Sequence, residues 1–295
     1  MRILLIGKNG QIGETITKKI SGRHTIIAPD RNELDLNQEQ TIHNAIQKIS
    51  PAVVINAAAY TKVDLAENNN ADVMRVNGTS VELLAKLSVT HGFRLIHFSS
   101  DYVFDGTLLR SYEESDIKNP INKYGLSKAY ADDAIFANAV NAVIFRVSWV
   151  ISEQKMNFVD KVTNTFMNKN EASIVSDQIG SITTSDLVAK AVDAVLSPSK
   201  QEVCLYNLST LGETNWHEIS LAIYDQLKLM KVPMAIERSR IQPITTEEAN
   251  MPAKRPLNSR LNCELVQKRL GIYLPPWRQS LNSIVQRKFI DYAKA

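Results

Sequence analysis

Short apolar runs and longer amphipathic segments take turns along the first half of the chain. Arg2–Ile6, His24–Ala28, Ala52–Asn56, Phe93–Ser99 and Ala142–Val147 are apolar over most of their length and too short for ordinary helices, which predicts buried strands. Glu14–Ile20, Gln38–Ile49, Val73–His91 and a segment from Ile121 onward place apolar residues at helical spacing. No hairpin turn joins one strand to the next. Strand, helix, strand, helix without hairpins predicts an α/β fold with a doubly wound parallel sheet. Beyond residue 150 the rhythm loosens. Helices are expected over Asn157–Lys169, Ser185–Leu196, Asn215–Lys231 and Cys263–Leu270, with short strands over Ser173–Val175 and Val203–Asn207. Pro243–Arg260, rich in Pro, Arg, Thr and Asn, reads as one ordered loop, and Leu274-Pro-Pro-Trp277 as a turn before a final helix.

The first strand runs straight into Gly7, Gly10 and Gly13, and a helix follows. Glycines let a backbone approach a pyrophosphate, and a helix N-terminus offers free N–H groups and partial positive charge. Strand, glycine turn and helix together predict a Rossmann-like dinucleotide site with Gly7, Gly10 and Gly13 at the phosphates. The corner after the second strand meets the adenine ribose. It holds both Asp30, suited to a free hydroxyl, and Arg31, suited to a phosphate, so NADPH against NADH stays open. Asp35 and Leu36 border the adenine, or Asp35 serves as an acid at the start of the next helix. Small residues after the third strand, Ala58 and Ala59, with Tyr60 and Thr61, let a flat cofactor lie against the backbone. The division that results is residues 1–150 with 176–208 for the dinucleotide and 151–175 with 209–295 for a smaller, mostly helical substrate domain.

Composition changes this picture little. A length of 295 residues suits one large domain or two joined ones, and a net charge of +3 gives no ground for nucleic acid or a membrane surface. Two distant cysteines, Cys204 and Cys263, fit a reducing cytoplasm better than a disulfide framework. The five histidines show no metal-ligand spacing. No apolar run is long enough to span a bilayer, and the N-terminus lacks the pattern of a signal peptide.

The chemistry concentrates between His97 and Lys128. Tyr124 and Lys128, four apart on a helix, share a face. A nearby ammonium lowers a phenol's pKa, and such a Tyr exchanges protons at neutral pH. Ser100, at the end of the fourth strand, adds a hydrogen bond to the same reacting oxygen.

These pieces resemble the dTDP-4-dehydrorhamnose reductases of the extended short-chain dehydrogenase/reductase superfamily. The likeness rests on GKNGQIG at 7–13, NAAAYTKVDLAE at 56–67, SSDYVFDG at 99–106, YGLSK at 124–128, VSDQIGS at 175–181 and RPLNSRL at 255–261. The resemblance implies reduction of the C4 ketone of dTDP-4-dehydro-L-rhamnose by NADPH, with NADH as the other candidate. It implies Tyr124 as general acid, Lys128 on the nicotinamide ribose, Ser100 on the C4 oxygen and Asn77 ordering a relay water. Gln11 and Ile12 are implied beside Gly10 at the pyrophosphate. Val63, Asp101, Tyr102 and Trp149 are implied at the sugar, and Arg255 and Asn258 at the nucleotide. Some members pair as homodimers through a divalent metal held by acids. Glu14 and Asp186 stand where such acids would, but no metal is assigned. The chain departs from the family at Ser100, where Thr is usual, and at Ala131-Asp132, where Gly and Glu are usual. Arg146 is expected in a structural ion pair. Two other functions share these motifs: a nucleotide-sugar epimerase or other 4-ketoreductase, and a cofactor-binding regulatory subunit, which has no need of Ser100, Tyr124 and Lys128 together.

Overall fold

The computed structural model describes residues 1–196 and 202–292. In chain order it runs β1 (Arg2–Ile6), α1 (Gln11–Ile20), β2 (Thr25–Ile27), α2 (Glu39–Ile49), β3 (Val53–Asn56), α3 (Val63–Ala66), α4 (Asn70–Met74), α5 (Ser80–His91), β4 (Arg94–Ser100), α6 (Lys123–Asn138) and β5 (Ala142–Val147). It continues through β6 (Val150–Ile151), α7 (Phe158–Asn168), β7 (Ala172–Val175), β8 (Ile179–Gly180), β9 (Thr183–Thr184), α8 (Ser185–Leu196) and β10 (Val203–Leu208). The C-terminal part holds α9 (Trp216–Leu229), β11 (Ile241–Ile244), α10 (Thr246–Ala249), β12 (Asn258–Ser259), α11 (Glu264–Leu270) and α12 (Trp277–Lys288).

Six strands form one parallel sheet in the order β10-β5-β4-β3-β1-β2. Successive side chains of β1 part to opposite faces, as a pleated strand requires. Ile3 and Leu5 join Ile16 and Ile20 of α1 and Leu187 and Val188 of α8. Leu4 and Ile6 join Ile42 and Ile46 of α2, Leu84 of α5 and Ile135 of α6. The sheet is therefore covered on both sides, which explains why its strands read as continuous apolar runs. β1 pairs with β2 on one side and β3 on the other. This is where the strand order reverses, and clefts in such sheets open at the carboxyl ends there.

A third apolar core gathers Val159, Phe166, Ile219, Ile223, Leu227, Trp277 and Leu281 from α7, α9 and α12. Three two-stranded parallel pairs, β7 with β11, β8 with β12 and β6 with β9, lie among these elements. Pro243–Arg260, expected as a loop, thus begins inside β11 and holds α10 and β12. Pro243 is tolerated because β11 belongs to a two-stranded pair, where one edge of the strand needs no donor.

The expected helix over Val73–His91 is not continuous. A π-helical turn at Arg75–Thr79 separates α4 from α5. A Cβ on Gly78 would lie 2.6 Å from Met74 Sδ, so a side chain there would require the flexible Met74 to shift. Such turns collect at functional sites, and this one carries Asn77. Among the described residues no helix is long and apolar enough to cross a membrane.

Candidate active site

The glycine turn after β1 is shaped by contact as well as by conformation. Gly7 has φ +88°, and a Cβ there would sit 2.6 Å from the Ala58 nitrogen. A Cβ on Gly13 would meet the Gly7 carbonyl oxygen at 2.1 Å, so Gly13 brings α1 against the turn. Gly10 differs: a Cβ would lie at ordinary contact distance, 3.4 Å from the Gly7 carbonyl oxygen and 3.9 Å from that of Ala57. It forms the N-cap of α1 with no side-chain cap, which leaves N–H groups of the first turn available to an anion.

Two adjoining cavities share Gly7, Asn9, Gly10, Ala58 and Ala59. The first, about 520 Å³, is lined by Lys8, Pro29, Arg31, Asp35, Leu36 and Tyr60 among others. The second, about 640 Å³, reaches Gln11, Ile12, Thr61, Ser99, Tyr124 and Lys128. A cleft with a glycine floor, a helix N-terminus at its middle and cations at one end fits a dinucleotide. Asp30 stands outside the lining and pairs with Lys8 at 3.0 Å. Asp35 accepts from the Asn37 backbone and side chain at 3.0 and 3.1 Å, so it also stabilises its own turn.

At the far end β4 delivers Ser100 and α6 delivers Tyr124 and Lys128. Asn122, with its side chain accepting from the Gly125 N–H at 2.7 Å, starts α6 just before Tyr124. A Cβ on Gly125 would meet the Tyr102 carbonyl oxygen at 2.1 Å, so glycine there lets α6 approach the turn after β4. Ser100 Oγ donates to Asp101 Oδ1 at 2.9 Å and accepts from the Tyr102 N–H at 3.2 Å. Burial pushes the Tyr124 phenol up to about 12, and the Ser100 hydroxyl pulls the other way. Burial brings the Lys128 ammonium down to about 8, with Asp132 opposing.

The expectation that Lys128 lowers the Tyr124 pKa is corrected here. Lys128 Nζ contacts His97 Nε2 at 3.2 Å, and burial dominates the phenol. A phenol with a raised pKa holds its proton at neutral pH, which is the state a general acid needs. Asn77 is also more occupied than expected. Its Oδ1 accepts from the Tyr60 N–H at 2.7 Å, and its Nδ2 donates to Tyr60 O and Ser127 Oγ at 3.0 and 3.1 Å. It clamps the cleft wall to α6.

On the other side of Tyr124 lies a polar and aromatic shell. The Tyr102 and Tyr124 rings meet edge to face with centroids 5.7 Å apart. Arg255 makes a two-pronged pair with Asp64, both contacts 2.8 Å, beside Val63 at the start of α3. Asn258 donates to the Leu108 and Arg110 carbonyls at 2.7 and 2.8 Å and accepts from Arg260; it fastens the loop before Tyr112. Trp149 stacks on Trp216 at 4.2 Å. Its φ of +46° is a conformation that costs a bulky residue on the order of 1–3 kcal/mol and gathers at functional sites.

Asp101 is 3% exposed, and burial raises its carboxyl to about 6 against the Ser259 and Ser100 hydroxyls. A carboxyl raised from its usual 3.8 binds its proton more tightly folded than unfolded. Its protonated form therefore adds nothing below pH ~4, and its ionisation costs stability as pH rises through ~6, on the order of 3 kcal/mol by pH 7. Asp101→Asn, which retains an acceptor for Ser100, is expected to raise the unfolding temperature at pH 7.5. That gain should shrink toward pH 4; a gain independent of pH would contradict the assignment.

His97 and Asn56 escaped the sequence reading. The available signal was a histidine inside an otherwise apolar buried strand and an asparagine ending another. Glu14 and Asp186 are engaged with Lys18 and Lys155, and with Lys19 and Arg287. Among the described residues no cluster of three or more His, Cys, Asp or Glu is placed to hold a metal.

Residues 1–289 match the family model described as the RmlD substrate binding domain. A dTDP-4-dehydrorhamnose reductase from Burkholderia thailandensis is 33% identical, with 97% of this chain and 98% of that protein covered. The crystal structure of a dTDP-4-dehydrorhamnose reductase from Bacillus anthracis in complex with NADP superposes with a TM-score of 0.88 at 27% identity, covering 98% of this chain and 99% of that one. The UDP-glucose 4-epimerase of Thermotoga maritima has a TM-score of 0.79 at 18% identity, covering 99% of each chain, a likeness of fold alone. The glycine turn, the paired Tyr124 and Lys128 and a match along nearly the whole length agree: the chain belongs to the dTDP-4-dehydrorhamnose reductase family.

Proposed function

We propose that this protein reduces the C4 ketone of dTDP-4-dehydro-L-rhamnose to dTDP-L-rhamnose with NADPH, Tyr124 acting as general acid. The observation that carries the reading is that Tyr124 and Lys128 open together onto a glycine-floored cleft, with Ser100 at the end of β4. NADPH supplies the hydride when bound. Gly10, Gln11 and Ile12 at the start of α1 hold its pyrophosphate, and Gly7 and Gly13 shape the turn beneath. Lys8 and Arg31 meet a phosphate on the adenine ribose, which favours NADPH over NADH. Asp35 and Leu36 border the adenine, and Ala58 to Thr61 line the cleft.

Ser100 donates to the C4 oxygen as negative charge develops there. Tyr124 Oη delivers its proton to that oxygen, and the Lys128 amino group holds the nicotinamide ribose. Val63, Asp101, Tyr102 and Trp149 form the sugar side. Arg255, oriented by Asp64, serves the nucleotide side, with Asn258 holding the wall behind it. The separate apolar core of α7, α9 and α12 supports assigning residues 151–175 with 209–295 to the substrate and 1–150 with 176–208 to the cofactor, except that Leu261, Cys263, Val266, Ile272 and Leu274 pack into the core of the six-stranded sheet and go with the cofactor side. The free thiols of Cys204 and Cys263 support a reducing, cytoplasmic setting.

The test is oxidation of NADPH or NADH by the purified protein with freshly generated dTDP-4-dehydro-L-rhamnose. Sugar-dependent oxidation, faster with NADPH, is expected. Cofactor binding without oxidation would overturn this reading and point to another 4-keto nucleotide sugar or to the regulatory role.

A further inference from the structure

His97 is a buried titratable group to which the proposed reduction gives no part. It lies within β4 and is 1% exposed, as are Lys128 and Asn56. Its Nε2 is 3.2 Å from Lys128 Nζ, and its Nδ1 is 3.4 Å from Asn56 Nδ2. Asn56 Oδ1 in turn accepts from the Ala58 N–H at 3.3 Å. A continuous line of contacts thus joins the floor of the cofactor cleft, at Ala58, to the amino group of Lys128.

We propose that His97 is a positioning residue for the reduction: it fixes Lys128 Nζ at the nicotinamide end of the cleft and keeps it hydrogen-bonded there. The inference rests on the reductase reading above. A buried ammonium with no acceptor is costly, and the imidazole supplies one. It also has two tautomers. With Nε2 bare it accepts from an ammonium; with Nε2 protonated it donates to a neutral amine. As Asn56 stands, its Nδ2 faces Nδ1, which places the imidazole proton on Nε2; turning the amide over offers an oxygen to a protonated Nδ1 instead, at the cost of the bond from the Ala58 N–H. His97 therefore remains bonded to Nζ in either charge state of Lys128. A carboxylate at this place would close an ion pair and draw Nζ away from the cleft.

The other ionisable groups near this contact are few. Tyr124 and Asp132 flank Lys128 on α6, Asp101 follows β4, and β3 contributes only the neutral Asn56. Asp132 is already paired with Arg146 at 3.0 Å. It adds field at Lys128, while His97 provides the direct contact.

The experiment compares His97→Leu with His97→Gln in steady-state reduction between about pH 6 and 10. His97→Leu is expected to lose about tenfold or more in kcat, since a displaced group near the chemistry is costly. The KM for the sugar should stay within about threefold, because uniform binding is untouched. The alkaline limb should move to lower pH, because an ammonium deprived of its acceptor in a buried setting gives up its proton sooner. His97→Gln, whose amide spans a similar reach, should restore both. His97→Asn, too short to touch Nζ, should reproduce the Leu result and replaces that variant if it does not fold.

An unmoved alkaline limb with equal losses in the Leu and Gln variants would reduce His97 to core packing and overturn the proposal. Absence of turnover in the wild type would instead count against the reductase reading. The contact is then read from NADPH titration, where unchanged affinity in His97→Leu overturns it and about tenfold weaker binding supports it.

Discussion

Tyr124→Phe is expected to lower turnover by about a hundredfold or more while NADPH binds within about twofold of the wild type. Phenylalanine keeps the ring, and with it the edge-to-face contact with Tyr102 at 5.7 Å. What is lost is one hydroxyl, the proton donor to the C4 oxygen in the proposed mechanism. On the proposed reading cofactor affinity rests mainly elsewhere, on the glycine turn, the first turn of α1 and the cations that line the first cavity. The two effects therefore separate, and titration of NADPH beside steady-state reduction checks them. Turnover within about threefold of wild type would remove Tyr124 as the acid. Joint loss of binding and turnover would show instead that the hydroxyl shapes the cleft.

Arg146→Leu carries the largest expected effect on stability. Arg146 and Asp132 are 3% and 0% exposed and meet at 3.0 Å. The guanidinium also donates to the Glu114 carbonyl at 3.2 Å and lies 5.1 Å from the centre of the Phe104 ring. Removing one member of a buried pair leaves an unpaired charge, which costs about 3–5 kcal/mol. Asp132 has one oxygen, Oδ1, without a partner already, so little remains to compensate it. Urea unfolding should show that loss. Adding Asp132→Asn to Arg146→Leu should recover part of it by neutralising the stranded carboxylate. A loss below about 1 kcal/mol would mean that the pair is solvated or replaceable.

Much of this molecule was legible in its residues. The sheet strands were readable because both faces are covered, which leaves little polar interruption in Leu4, Leu5, Ile55 or Ile144. The glycine turn was readable because Gly7 and Gly13 answer to contacts that no side chain tolerates. The ion-pair role of Arg146 followed from a charge at the end of a buried strand. Other features depend on contacts between distant segments. The π-helical turn at Arg75–Thr79 carries Asn77, whose bonds to Tyr60 and Ser127 no helical spacing discloses. Arg255 finds Asp64 across 191 residues of sequence, so its charge in sequence looks free. Lys128 reads as the partner of Tyr124 by spacing, whereas its nearest contact, His97, comes from another element. Spacing locates side chains on a face; it does not say what is packed against that face.

The central claim is tested most directly by the fate of the transferred hydrogen. NADPH carrying deuterium at the transferable position of its nicotinamide is incubated with the protein and dTDP-4-dehydro-L-rhamnose, and the product is read by NMR. The account predicts dTDP-L-rhamnose with deuterium on C4 and on no other sugar carbon. Deuterium at another carbon, or a product epimerised at C4 with no net oxidation of the cofactor, would contradict it.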